Sequence, residues 1–108
     1  MVRKSPGRSA ALLSHTFEGH TFLFREDGYI NMTKAAKAFG KKLSHFWASH
    51  QTKEYMEALS QMPGFRGIKL VISSRGRYGE TWVHPKLTVF TARWLDVRFA
   101  VWCDLVIE

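Results

Sequence analysis

Residues that could bind a phosphate backbone are concentrated in two acid-free stretches of this chain. No Asp or Glu occurs in residues 28–53 or 58–79, and the formal net charge of the whole chain is +7. A cationic surface without nearby carboxylates attracts a polyanion, most often a nucleic acid and less often an anionic membrane surface. The alternative is a solvated face whose excess charge serves only solubility.

The candidate contacts to a nucleic acid lie on two predicted elements, a pair of short helices and the tip of a β-hairpin. Lysine and arginine side chains bind phosphates, serine and histidine can also reach base edges, and tyrosine offers a face for stacking. The candidates are Lys34, Lys37, Lys41, Lys42, Ser44, His45, Ser49, His50, Arg75, Arg77 and Tyr78.

Catalytic and metal-binding chemistry finds little support in the residue spacing. His45 and His50 are five residues apart, whereas a helical zinc pair needs i and i+4. Glu80 and His84 could form an acid–base pair, but without a nucleophile we expect them to satisfy backbone groups. Cys103 is the single cysteine, which excludes an internal disulfide and indicates inert packing in a helix. The sequence therefore predicts no enzyme, no cofactor, no metal site and no small-molecule substrate.

A short amphipathic helix is predicted between Asn31 and Gly40. Asn31 suits the N-cap, and Gly40 can adopt the left-handed conformation that closes a helix. Its lysines share one face, and its apolar residues form a separate stripe. The stripe consists of Met32, Ala35, Ala36 and Phe39.

A second helix is predicted over residues 43–50, after a turn of about three residues that contains glycine. Ser44 is its expected N-cap, and Phe46 and Trp47 are its expected buried anchors. This spacing fits a helix-turn-helix, although two helices around a glycine turn are also common in other α-helical proteins. Thr52 is then expected to cap a third helix, with a buried stripe of Tyr55, Met56, Leu59 and Met62.

Two β-hairpins and two further helices complete the prediction. Alternating apolar residues favour strands over residues 12–17 and 20–25, and again over 68–73 and 80–84, where the second hairpin has a basic tip like a wing. His84 and Asp96 suit the N-caps of two C-terminal helices. Packing of the last helix is assigned to Val97, Val101 and Leu105, with Ala100, Trp102 and Val106 beside them. The predicted fold class is α+β, with two hairpins and four to five helices.

The chain is predicted to form a single soluble, intracellular domain. Residues 1–14 are expected to be a flexible basic N-terminal arm, and residues 15–108 the folded domain. No apolar run approaches the roughly 20 residues that a membrane span requires.

Three segments together carry a resemblance to a known family. Residues 28–36 (GYINMTKAA), 79–85 (GETWVHP) and 92–95 (ARWL) closely resemble the KilA-N domain of bacteriophages and large DNA viruses, which is similar to the fungal APSES domain. The resemblance covers residues 15–106 and implies a helix-turn-helix and a hairpin wing that bind duplex DNA. It further implies a phage or prophage regulatory protein in the cytoplasm of a bacterial host.

The family motif residues are themselves expected to be structural. Turn and cap geometry explains Gly28 and Asn31, core burial explains Tyr29 and Trp82, and helix initiation explains Pro85. Contacts to DNA should therefore come from the cationic candidates. A protein-interaction or antirepressor module, whose basic face binds an acidic partner, remains the alternative function.

Overall fold

The computed structural model describes residues 12–74 and 79–107, which form an α+β domain. A five-stranded antiparallel sheet has the strand order β1-β2-β3-β5-β4. The strands are β1 (Leu12–Phe17), β2 (His20–Arg25), β3 (Ile30–Asn31), β4 (Val71–Ser73) and β5 (Thr81–Val83). The helices are α1 (Met32–Ala38), α2 (Leu43–Ala48), α3 (His50–Ser60), α4 (Pro85–Leu95) and α5 (Val97–Ile107). This architecture confirms the predicted fold class.

The β1–β2 hairpin turns at two residues that both have positive φ. Glu18 has φ 50° and Gly19 has φ 83°, the combination that matches a tight turn to the right-handed twist of two strands. Phe22 and Phe24 alternate toward the core and are almost fully buried. The first predicted hairpin is therefore confirmed, and its first strand begins at Leu12, within the segment expected to be an N-terminal arm.

The second hairpin is also confirmed, with strands shorter than predicted. Val71 to Ser73 pair with Thr81 to Val83, and β5 lies between β4 and β3. Val83 lies opposite Ile30, and both side chains are fully buried. The basic tip expected at residues 75–78 lies outside the described residues.

An aromatic cluster joins the first hairpin to α5. Phe99 of α5 is fully buried, and its ring centroid lies 4.7 Å from that of Phe22 and 5.0 Å from that of Phe39. The rings of Phe17 and Trp102 approach it at 5.8 Å and 5.7 Å. Three of these pairs are tilted and the pair with Trp102 is stacked, so the cluster combines area burial with favourable ring geometry and forms part of the hydrophobic core.

Two predictions about α3 are wrong. The helix begins at His50 with Ser49 as its N-cap, so Thr52 is a buried residue inside the first turn and not the cap. In the predicted buried stripe, Tyr55 and Met62 are exposed, whereas Met56 and Leu59 are half-buried. The ring of Tyr55 instead stacks on Phe90 of α4, at a centroid distance of 4.0 Å.

The buried face of α5 also differs from the prediction. Its core residues are Phe99, Ala100 and Cys103, whereas Val97, Val101 and Leu105 are 69%, 59% and 69% exposed. Cys103 is buried, as expected for packing inside a helix, and burial raises the pKa of its thiol to about 12, which keeps the thiol protonated.

The N-cap of α4 makes stability depend on pH. His84 Nδ1 accepts a hydrogen bond from the Lys86 amide at 3.0 Å, and burial lowers the pKa of His84, although Asp27 opposes that shift. The unfolded state, where the pKa is about 6.5, then binds the proton more readily. The contribution of neutral His84 to the stability of the folded state is present above about pH 6.5. It is lost as the pH falls through the lower pKa of His84 in the folded state.

We therefore expect the melting temperature to fall more between pH 7 and pH 5 for the wild type than for His84→Asn. Asparagine can cap the helix without titrating in this range. Melting curves of both proteins in matched buffers test this expectation, and equal pH dependence would contradict it.

Candidate nucleic-acid interface

The first helix of the candidate site is held by its cap and presents lysines to solvent. Asn31 Oδ1 accepts a hydrogen bond from the Lys34 amide at 3.1 Å, which confirms Asn31 as the N-cap. Met32, Ala35 and Ala36 are buried, and Lys34 and Lys37 are exposed. The predicted separation of α1 into an apolar face and a lysine face is therefore confirmed.

One of these lysines has an acidic neighbour from another part of the chain. Lys34 Nζ lies 3.8 Å from Glu80 Oε2, with side-chain exposures of 49% and 32%. A pair this long and this exposed contributes at most about 1 kcal/mol to stability. Lys34 therefore keeps its access to solvent, but its charge is partly compensated by a residue just outside the acid-free stretch.

Lys41 holds the α1–α2 turn onto α4. Its ammonium group donates a hydrogen bond to the Trp94 carbonyl oxygen at 2.9 Å and lies 5.2 Å from the centroid of the Trp94 ring. The last carbonyls of a helix carry partial negative charge, so a cation at this point stabilises the contact. This tertiary contact gives Lys41 a structural role in addition to its predicted role at a DNA surface.

The second helix is shorter than predicted and begins two residues earlier than an N-cap at Ser44 requires. Lys42 occupies the N-cap position, so Ser44 lies within α2 and the prediction of Ser44 as the cap is wrong. Phe46 is fully buried, Trp47 is half-buried, and Ser44 and His45 are exposed. The aromatic anchors predicted for this helix therefore exist, with Trp47 less buried than Phe46.

Phe46 fixes α2 against α4. Its ring centroid lies 5.3 Å from that of Trp94 and 5.8 Å from that of Phe90. Contacts of this kind restrict the orientation of a short helix that has too few residues to be stable alone. The exposed side of α2 is consequently presented in one defined direction.

A single residue separates α2 from α3. Ser49 is extended (φ −66°, ψ 134°), and its amide donates to the Phe46 carbonyl oxygen at 3.1 Å. Ser49 is half-buried, and His50 is exposed as the first residue of α3. The predicted helix over residues 43–50 is therefore two elements, and the candidates Ser49 and His50 lie at their junction.

We name as the cationic surface the exposed candidates on α1, at the N-cap of α2 and within α2; Lys41 is left out because its ammonium group bonds to α4. Three further candidates, Arg75, Arg77 and Tyr78, lie outside the described residues. Lys37 and Lys42 have no ion-pair partner in residues 12–74 and 79–107. The cationic surface consists of Lys34, Lys37, Lys42, Ser44 and His45.

The motif residues bind separate elements of the fold to one another. A Cβ on Gly28, which has φ 97°, would lie 2.6 Å from Pro85 Cγ, so only glycine fits beside the start of α4. The Tyr29 hydroxyl donates to the Lys69 carbonyl oxygen at 2.6 Å, and Thr33 Oγ1 accepts from the Thr81 amide at 2.8 Å. These contacts agree with the expectation that the motif is structural.

Two of the expected roles need correction. Trp82 is half-buried and lies outside the core cluster, so its predicted burial in the core is wrong. Tyr29 is also half-buried, and the Arg25 guanidinium lies 4.7 Å from the centroid of its ring. The pKa of the Tyr29 hydroxyl is raised, mainly by burial. Neither residue therefore belongs to the buried core.

The geometry assigns the histidine and glutamate candidates to structural contacts. Glu80 faces Lys34, and His84 caps α4, so the two do not form an acid–base pair with each other. Within the described part of the chain, no group of three or more His, Cys, Asp or Glu side chains could hold a metal ion. None of the described helices is long and apolar enough to cross a bilayer.

The chain is a small α+β domain, in which helices flank a sheet and a cationic surface lies on α1 and α2. The sequence profile of the KilA-N domain matches residues 14–108, and the chain belongs to this family. KilA-N domains are generally DNA-binding domains of viral proteins, and the family is not typically enzymatic.

Two curated relatives are KilA-N domain-containing proteins of Acanthamoeba polyphaga mimivirus. One is 30% identical over 94 residues, which cover 82% of this chain and 21% of the relative. The other is 29% identical over 91 residues, which cover 76% of this chain and 26% of the relative. The chain thus spans about a fifth to a quarter of each relative. No solved structure matches the chain with comparable significance.

Proposed function

We propose that this chain is a duplex-DNA-binding domain that uses the cationic surface as its main contact. The observation that carries the proposal is the exposure of Lys37 and Lys42 on two consecutive elements without a carboxylate anywhere in residues 28–53. Family membership supports the same ligand. An acidic protein could be attracted by the same charge, and that alternative is an outcome of the experiment below.

In the proposed complex, α1 and the turn bind phosphates and α2 enters the major groove. Ser44 and His45 are exposed on α2, where serine and histidine side chains can donate to or accept from base edges. Ser49 and His50 extend this contact at the α2–α3 junction. The β4–β5 hairpin acts as a wing, and Arg75, Arg77 and Tyr78 bind the neighbouring DNA backbone. The domain belongs to a phage or viral regulatory protein.

The proposal predicts a steep dependence of DNA affinity on salt. If about 4 to 7 phosphates are neutralised, a plot of log K against log salt concentration should have a slope of about −4 to −6. Fluorescence anisotropy of a labelled random-sequence duplex, titrated at several salt concentrations, measures this slope.

Two results would count against the proposal. A flat response to salt would reject phosphate binding by the cationic surface. Phosphate contacts are strongest at low salt, so a chain that does not bind duplex DNA there does not use the cationic surface for DNA. That result would favour the acidic protein partner instead.

A further inference from the structure

A second surface, formed by α4 and α5, is apolar and exposed. Val97, Val101 and Leu105 are large apolar residues that are 69%, 59% and 69% exposed. Their spacing of four residues places them in one row along α5. Exposed apolar rows of this kind mark sites of association more often than isolated surface residues do.

The row continues into a groove between α4 and α5. This groove has a volume of about 320 Å³ and is lined by Val89, Arg93, Val97, Ala100, Val101 and Asp104. The apolar row and the groove side by side offer one ridge and one hollow on the same face. A surface with both shapes can receive a copy of itself.

The charges on this face are also self-complementary. Arg93, in the last turn of α4, lies at the Val97 end of the groove, and Asp104 lies near the Leu105 end. Both are exposed, and neither has an ion-pair partner among the described residues. One base and one acid at opposite ends suit a partner with the same pair in reverse order, whereas a polyanion would be repelled by Asp104.

We propose that this face binds a second copy of the chain, with the two α5 helices antiparallel about a two-fold axis near Val101. That axis places Val97 near the partner's Leu105 and brings Val101 beside the partner's Val101. It also brings Arg93 toward the partner's Asp104, and the same pair forms twice because the interface is isologous. The face thereby buries its apolar row and pairs both of its unpaired charges.

The expected dimer is weak. A helix of 11 residues is about 16 Å long, so the contact falls below the roughly 800 Å² that each partner buries in a stable interface. Sedimentation equilibrium without DNA, from about 10 μM to about 1 mM protein, spans the dissociation constants expected of such a contact. The average mass should rise from 12.5 kDa toward twice that value.

Variants of exposed residues test the geometry. Val101→Asp should remain a monomer throughout, whereas Ile68→Asp, at an exposed apolar residue outside this face, should associate like the wild type. Asp104→Arg alone should weaken association by about tenfold or more, because it sets two arginines against each other in each pair. The double variant Arg93→Asp, Asp104→Arg should restore it.

Each alternative result overturns the proposal. A wild-type chain that stays monomeric at the highest concentration, a Val101→Asp variant that associates normally, or a double variant without rescue would each do so. Melting curves of all variants distinguish loss of association from loss of folding. Because no DNA is present, failure here leaves the proposed function untouched.

Discussion

Charge reversal of Lys37 and Lys42 together is expected to lower the affinity for duplex DNA by about 50- to 100-fold at 0.1 M salt. Each lysine that neutralises a phosphate contributes nearly tenfold to binding at this salt concentration, through counterion release. Both side chains are exposed and have no ion-pair partner among the described residues, so little stability should be lost. Anisotropy titrations of Lys37→Glu with Lys42→Glu measure the effect.

A matched control separates a defined surface from overall charge. Lys69→Glu with Lys86→Glu makes the same change in net charge at two exposed lysines outside α1 and α2. The Lys69 carbonyl, which accepts from Tyr29, is unaffected by that substitution. We expect the control to weaken binding less than about threefold, through the general field alone. Equal losses in both double variants would show that the cationic surface is assigned wrongly.

Phe99→Ala is expected to have the largest effect on stability. Phe99 is fully buried among the rings of Phe17, Phe22, Phe39 and Trp102, which come from the first hairpin, the C-cap of α1 and α5. Removal of such an aromatic costs about 3–5 kcal/mol, and small domains have only about 5–15 kcal/mol in total. Urea denaturation followed by circular dichroism should show a partly or fully unfolded variant.

Trp82→Ala provides the comparison, because the sequence assigns Trp82 to the core, where its loss would also unfold the domain. Trp82 is half-buried and lies outside the core cluster. We therefore expect a loss of about 1–2 kcal/mol, in proportion to the smaller apolar area removed from water. If the two variants unfold at the same urea concentration, the assignment of Phe99 to the core and of Trp82 outside it is wrong.

Local chemistry made much of this fold predictable from sequence. The caps at Asn31, His84 and Asp96 each use a side chain that bonds an amide two or three residues away. The first hairpin turns at Glu18-Gly19, where glycine readily adopts the positive φ that a tight turn requires. Such features need no knowledge of distant contacts, which is why they agree with the structure.

Predictions of the N-cap residue are wrong where several possible capping residues lie close together in the sequence. Ser44 and Thr52 are good capping residues, but Lys42 and Ser49 occupy those positions. The reason is tertiary: the helix boundaries are set where Phe46 must reach α4, and no side-chain cap competes strongly enough to move them.

The sequence determined which of its side chains could bind DNA. Only the tertiary structure decided which residues of the chain those side chains contact. Lys34 meets Glu80 and Lys41 meets Trp94, at separations of 46 and 53 residues that no local pattern encodes. Arg75, Arg77 and Tyr78 lie outside the described residues, so their part in the wing remains a prediction.

The same division holds for α5. Its sequence determined that it is an apolar helix capped by Asp96, since both properties belong to the segment itself. Nearly every position around the helix is apolar, so the periodicity could not show which side faces the sheet. Packing against Phe22 and Phe17 turned Phe99 and Cys103 inward and left the row at Val97, Val101 and Leu105 in solvent, because a helix can bury only one face against a single sheet.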